Sequence, residues 1–244
     1  MRNIRLDICY EGTRYRGWQR LTNTDNTIQA KIETALSRIL EEQIEISASG
    51  RTDAGTHAKH QVVSFHCVSQ MPCDEILLLL RRYLPEDIGI YSCKNVSERF
   101  HARLNAKTKT YVYRVWNSEF PCVFDRKYVH IDTRMLDLDA MQKAAVQFCG
   151  EHDFEPFSAN KGKKKSTVRY IHSFTVDRCG HEVVFTVTGN GFLHHMVRIM
   201  VGTLLEVGRG ERSSNSISEL FSRKRADTGE LIPACGLCLM EVNY

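Results

Sequence analysis

An α+β fold in two halves, each an antiparallel or mixed sheet with helices on one side, is what this sequence predicts. In the first half, apolar alternation and helical periodicity follow one another as strand, helix, strand, strand, helix, strand. The second half nearly repeats that order, a weak internal duplication. Length agrees: 244 residues suffice for one large domain or for two of about 120 residues, each able to bury a core of its own, and two is the favoured reading.

Ile4, Leu6, Ile8 and Tyr10 alternate with Asn3, Arg5, Asp7 and Cys9, the period of a half-buried strand. Glu11 to Asn26 then reads as a loop holding Gly12, Gly17, Trp18 and the arginines Arg14, Arg16 and Arg20. An aromatic among arginines suits nucleic acid, and equally suits a tryptophan packed under its own loop. A helix starts near Asn26 or Thr27 and carries Ile28, Ile32, Ala35, Leu36, Ile39 and Leu40 on one face. Ile44, Ile46 and Ala48 alternate again, and Val62, Val63 and Phe65 mark a further strand. Asp74 precedes an apolar helix that ends at Pro85, after which Ile88 and Ile90 open another strand. This order resembles the ferredoxin-like supersecondary pattern.

In the second half, Thr108 to Trp116 alternates as a strand, and Leu138, Met141, Ala145 and Phe148 form a helical face. Val168 to Val176 and Val183 to Val187 are strands around a Cys179-Gly180 turn. Phe192 to Val207 reads as a buried helix closed by Gly208, and Ser216 with Glu219 forms a capping box for a last short helix. Leu237 to Val242 supplies the closing strand.

Net charge is +4, too small to identify a polyanionic partner by itself, so any basic surface must come from clusters. Two exist: Lys161, Lys163, Lys164 and Lys165 around Gly162, and Arg223 to Arg225. Each is read either as a solvated loop or as a set of phosphate contacts. The nine cysteines have no framework spacing and the chain opens as a strand without an apolar leader, which points to the cytosol. The longest wholly aliphatic run, Ile76 to Leu80, is far below a membrane span. Cys235 and Cys238 form one CxxC without the second pair that structural zinc needs. No acidic partner for His57 or His60 is evident, and core or surface packing is the simpler reading. His194 and His195 begin the second buried helix, with Arg198 one turn along; helix-start packing and an arginine aimed into a cleft are equally open. With no Walker loop, dinucleotide fingerprint or zincin motif, cofactor-free chemistry is favoured.

The stretch SGRTDAGTHA, Ser49 to Ala58, is the densest concentration of chemistry. Arg51 and Asp53 stand two apart between Gly50 and Gly55, so on extended backbone a guanidinium and a carboxylate share one side. The glycines permit positive φ or close approach of a ligand. An Asx-turn with a surface arginine accounts for the same residues.

SGRTDAGTHA, with YEGTRYRGWQ at Tyr10 to Gln19, TIQ at Thr27 to Gln29, FHAR at Phe100 to Arg103, HHMVR at His194 to Arg198 and PACGLCLMEVNY at Pro233 to Tyr244, resembles the tRNA pseudouridine synthase A family from end to end. Departures are small: Glu11 for a usual aspartate, Tyr15 for phenylalanine and Thr56 for valine. The resemblance implies two ferredoxin-like halves, 1–105 with the aspartate loop and 106–244, joined in a continuous, mainly antiparallel sheet with an RNA-binding cleft between them. It also implies a homodimer that grips one tRNA and isomerises uridine to pseudouridine at positions 38, 39 and 40 of the anticodon stem-loop. By motif position, Asp53 is the catalytic carboxylate, Arg51 pairs with it and helps displace the base, Tyr111 stacks on the flipped uracil, and Arg198 holds the carboxylate from the second half. The loop lysines Lys163, Lys164 and Lys165 are expected to contact phosphate.

Overall fold

The computed structural model describes residues 1–159 and 166–244; Lys161, Lys163, Lys164 and Lys165 lie outside the described residues. Its elements are β1 (Arg2–Tyr10), α1 (Ile28–Leu40), β2 (Ser47–Ala48), β3 (His57–Cys67), α2 (Cys73–Tyr83), β4 (Ile88–Val96), β5 (Thr108–Trp116), β6 (His130–Ile131), α3 (Leu138–Val146), β7 (Gly150–Asp153), β8 (Val168–Cys179), β9 (Glu182–Gly189), α4 (Met196–Gly208), α5 (Ile217–Leu220) and β10 (Leu237–Asn243). The chain divides into two compact units, Met1–Lys107 with Leu239–Tyr244, and Thr108–Cys238.

In the first unit the strands run in the order β4-β1-β3-β10, with β2 paired to β3. β1 is antiparallel to both neighbours, Leu6 standing opposite Val63 on one side and Cys93 on the other. Ile4, Leu6 and Ile8, the apolar members of the alternation, are fully buried. α1 begins where Thr27 accepts a hydrogen bond from the Ala30 amide at 3.3 Å, a cap worth about 1 kcal/mol. The whole expected face, Ile28, Ile32, Ala35, Leu36, Ile39 and Leu40, is buried. Asp74 and Glu75 in the first turn of α2 and Arg81 and Arg82 in its last complement the helix dipole. Leu84 turns extended before Pro85, as a residue preceding proline must, and the helix stops.

A charged cluster fastens the last residues of the chain to this unit. Arg5 donates to Asp7 at 2.6 Å and His60 Nε2 lies 3.0 Å from the same carboxylate. Burial would raise the Asp7 carboxyl, but hydrogen bonds from His60 and Arg5 outweigh it and hold the group at about 2. The Arg5 guanidinium also lies 4.8 Å from the Tyr244 ring centroid, and the Tyr244 hydroxyl donates to the Ala102 carbonyl at 2.7 Å.

In the second unit the order is β5-β9-β8-β7, every pair antiparallel, and β6 adds a short parallel pairing to β5. Asp137 caps α3 by accepting from the Ala140 amide at 2.9 Å. α4 is buried along nearly its whole length, and Gly202 is obligatory there because a Cβ would lie 2.2 Å from the Glu230 carbonyl oxygen.

Three expectations about elements are corrected, and one strand was not expected at all. Ile44 and Ile46 are buried but not in a strand; their amides donate to Ser37 and Glu33 side chains, so the alternation recorded burial and not pairing. α4 starts at Met196 and not Phe192, since His195 has a φ of +63° that interrupts helical backbone. The Ser216 capping box is not made: Ser216 is already helical and its hydroxyl donates to the Ser213 carbonyl. The unexpected strand is β7 (GEHD), which has no apolar residue to alternate and pairs with β8.

Candidate active site

Asp53 lies half-buried in the connection between β2 and β3, and Arg51 lies exposed two residues before it. The backbone on both sides of Asp53 is tied down. The Thr52 carbonyl accepts from the Trp18 amide at 3.0 Å, and the Asp53 carbonyl accepts from the Thr56 amide at 3.1 Å. The second bond closes a four-residue turn whose third member, Gly55, has a φ of +79°, open to glycine without strain. Among the described residues, the Arg51 side chain makes no ion pair.

The start of the same connection is fixed by Gln61, a fully buried side chain on β3. It bonds the Ser49 hydroxyl, donates to the Gly50 carbonyl at 3.0 Å and accepts from the Val62 amide at 3.1 Å. A buried amide with donors and acceptors both engaged costs little and orders the chain around it.

The 11–26 loop packs onto the aspartate loop with no side chain between them at two points. A Cβ on Gly12 would lie 2.0 Å from the Thr56 carbonyl oxygen, and one on Gly17 3.0 Å from the Thr52 oxygen. The Gly12 amide donates to His57 Nδ1 at 3.0 Å, and Glu11 stands 3.8 Å from that nitrogen. His57 is thus a buried acceptor that ties the start of β3 to the 11–26 loop through the Gly12 amide. At its outer end the 11–26 loop is anchored on Asp87, which receives Arg14 and the Tyr15 hydroxyl, both at 2.5 Å. Trp18 is 2% exposed, its ring centroid 5.9 Å from that of Tyr10. Of the two readings of Trp18, the structure supports the tryptophan packed under its own loop.

The second unit holds the other two candidates. Tyr111 lies on β5 opposite Val187, buried, with its ring edge-on to Phe192 at 5.1 Å. Arg198 lies in the first turn of α4, half-buried, and its Nε donates to the Ile232 carbonyl at 2.8 Å. His194 and His195 precede that turn, ring centroids 3.7 Å apart. Nearby, the Cys235 thiol donates to the Val129 carbonyl at 3.2 Å, and burial pushes its pKa up, which keeps it protonated. Both properties are those of a packed thiol.

A family model described as tRNA pseudouridine synthase matches residues 8–105 and 144–244 of this chain. The chain belongs to that family. Among curated relatives, a tRNA pseudouridine synthase A of Bacillus sp. (strain KSM-64) is 45% identical over 245 residues, covering 100% of both chains. A tRNA pseudouridine synthase A 1 of Clostridium tetani (strain Massachusetts / E88) is 44% identical over the same span, again covering 100% of each. The protein is accordingly a tRNA pseudouridine synthase, an isomerase, and both the aspartate loop and the loop that backs it lie inside the matched residues. Among the described residues, no helix is long and apolar enough to cross a membrane.

In this synthase one loop residue is poorly satisfied. The Thr56 hydroxyl is buried without a hydrogen-bond partner among the described residues. Thr56→Val removes that hydroxyl while keeping the branched shape, and is expected to stabilise the protein by about 1 kcal/mol. A urea midpoint below that of the parent, at unchanged slope, would contradict this.

Sequence reasoning found the loop and missed what holds it. Gln61 bonds Ser49 and Gly50, and Tyr10 and Trp18 bond Thr52, from other parts of the chain; only a buried polar residue in an apolar strand, as Gln61 is within QVVSF, offered a signal.

Proposed function

We propose that the Asp53 carboxylate is the catalytic group and that the uridines isomerised are those at positions 38, 39 and 40 of the tRNA anticodon stem-loop. The observation that carries the first part is the half-buried Asp53 held between two fixed peptide planes. Catalysis by a positioned carboxylate needs that kind of preorganisation.

The chemistry is balanced without a cofactor. The bond from ribose C1′ to uracil N1 breaks, the ring turns, C1′ bonds to C5, and the proton lost from C5 is matched by one gained at N1. An ionised carboxylate serves such a step as nucleophile or as stabiliser of a cationic sugar. The base must leave its stack first. Arg51, exposed beside Asp53, is suited to fill the space the base vacates; Tyr111 is assigned to stacking on the flipped uracil, and Arg198 to supplying positive charge for the carboxylate. Lys163, Lys164 and Lys165 are assigned to phosphate contact, which raises affinity without choosing the nucleotide. A cytoplasmic homodimer completes the proposal.

The test is to incubate the purified protein with unmodified tRNA transcripts and map pseudouridine by nucleotide. Product confined to positions 38 to 40 is expected. Product elsewhere in the tRNA, with none in the anticodon stem-loop, overturns the site assignment.

A further inference from the structure

We propose that Tyr10, Gly17 and Thr52 are positioning residues that aim the Asp53 carboxylate through its backbone. The inference rests on the assignment of Asp53 as the catalytic group and adds the device that orients it.

The direction of a Cα–Cβ bond is set by the two peptide planes that meet at the Cα. At Asp53 both planes are held. The Thr52 carbonyl, which defines the first, is bonded to the Trp18 amide, and the Asp53 carbonyl, which defines the second, is bonded to the Thr56 amide. Gly17 lies against both: a Cβ there would be 3.0 Å from the Thr52 oxygen, 3.2 Å from the Asp53 carbonyl carbon and 3.1 Å from the Ala54 nitrogen. Its φ of +96° turns the chain so that its backbone, and no side chain, meets the aspartate loop.

Thr52 is fixed on its other side as well. Its hydroxyl lies 2.8 Å from that of Tyr10, both residues being buried, and Tyr10 is the last residue of β1. A buried hydroxyl-to-hydroxyl hydrogen bond is costly to leave unmade, so it ties the Thr52 side chain to a strand of the sheet. The chain of restraint runs from β1 through Tyr10 to Thr52 and from Thr52 to the peptide that carries Asp53. None of the three residues needs to touch RNA for this. Their effect belongs to the rate of the chemical step, because an ångström of misplacement in a reacting group costs up to about 100-fold.

The experiment measures the single-turnover rate at saturating enzyme, tRNA affinity at fixed salt, and the thermal midpoint, for Tyr10→Phe, Thr52→Val, Thr52→Ser, the double variant Tyr10→Phe/Thr52→Val and Gly17→Ala. Tyr10→Phe and Thr52→Val are each expected to slow the single-turnover rate about 10-fold, with affinity within about two-fold of the parent. Thr52→Ser keeps the hydroxyl and restores the rate. The double variant is no slower than either single one, since both remove the same bond. Gly17→Ala is slower still, and should it fail to fold, the hydroxyl variants decide the matter alone. Parent rates for both Tyr10→Phe and Thr52→Val, a Thr52→Ser variant as slow as Thr52→Val, or rate losses no larger than the loss of folded protein, each overturn the proposal. Asp53→Asn in the same assay separates this from the underlying reading. If it is inactive while the hydroxyl variants run at the parent rate, positioning alone is wrong; if it is active, both ideas fall.

Discussion

Asp53→Asn is expected to abolish pseudouridine formation, by at least about 10³-fold in single-turnover rate, while leaving tRNA affinity intact. Asparagine keeps the size of the side chain and some of its hydrogen bonding, so the turn closed by the Asp53 carbonyl and the Thr56 amide survives. What disappears is the charge, and with it a carboxylate able to act as nucleophile or as stabiliser of a cationic sugar. Affinity is expected to come from phosphate contacts spread over lysines and arginines, so the loss of one negative charge should leave it equal or slightly tighter. The measurement is paired, product per turnover and affinity at one salt concentration, for parent and variant. Comparable turnover by Asp53→Asn would reduce this loop to a turn.

Gly12→Ala is expected to cost about 3 kcal/mol of stability, the largest effect of any single methyl group near the site. The new Cβ would stand 2.0 Å from the Thr56 carbonyl oxygen, well inside contact distance. Neither side has room to yield. The Gly12 amide is bonded to His57, and Thr56 is bonded through its own amide to Asp53. Gly180→Ala is the control: its φ is +59° but nothing lies within 4 Å of the added Cβ, so only the backbone term of about 1 kcal/mol remains. Denaturant midpoints for the two variants compare crowding with backbone strain directly. Equal losses would mean that the two loops part easily.

Much of the fold was legible because periodicity and burial coincide in it. Ile4, Leu6 and Ile8 of β1, and the six-residue face of α1, are buried as their spacing requires. Legibility failed where burial and pairing come apart, as at Ile44 and Ile46, whose amides bond side chains, and where backbone conformation overrides an apolar run, as at His195. β7 could not be read locally, since it owes its conformation to β8. At the site, the glycines marked the aspartate loop because turns demand them. The residues that hold it escaped notice for a different reason. Tyr10 reads as one more apolar member of a strand, and the amide of Trp18, which does the bonding, has no signature in residue type.

The six residues Leu239–Tyr244 belong to a unit otherwise made from Met1–Lys107. β10 lies beside β3 in its sheet, and the Tyr244 ring covers Arg5. Synthesis on the ribosome delivers this unit's first 107 residues early and its final strand last, after the entire stretch Thr108–Cys238 has emerged. The unit that carries the aspartate loop therefore waits, one strand short, with the β3 edge that β10 covers still open, through the production of Thr108–Cys238. Of the two units, the one translated first is the one finished last.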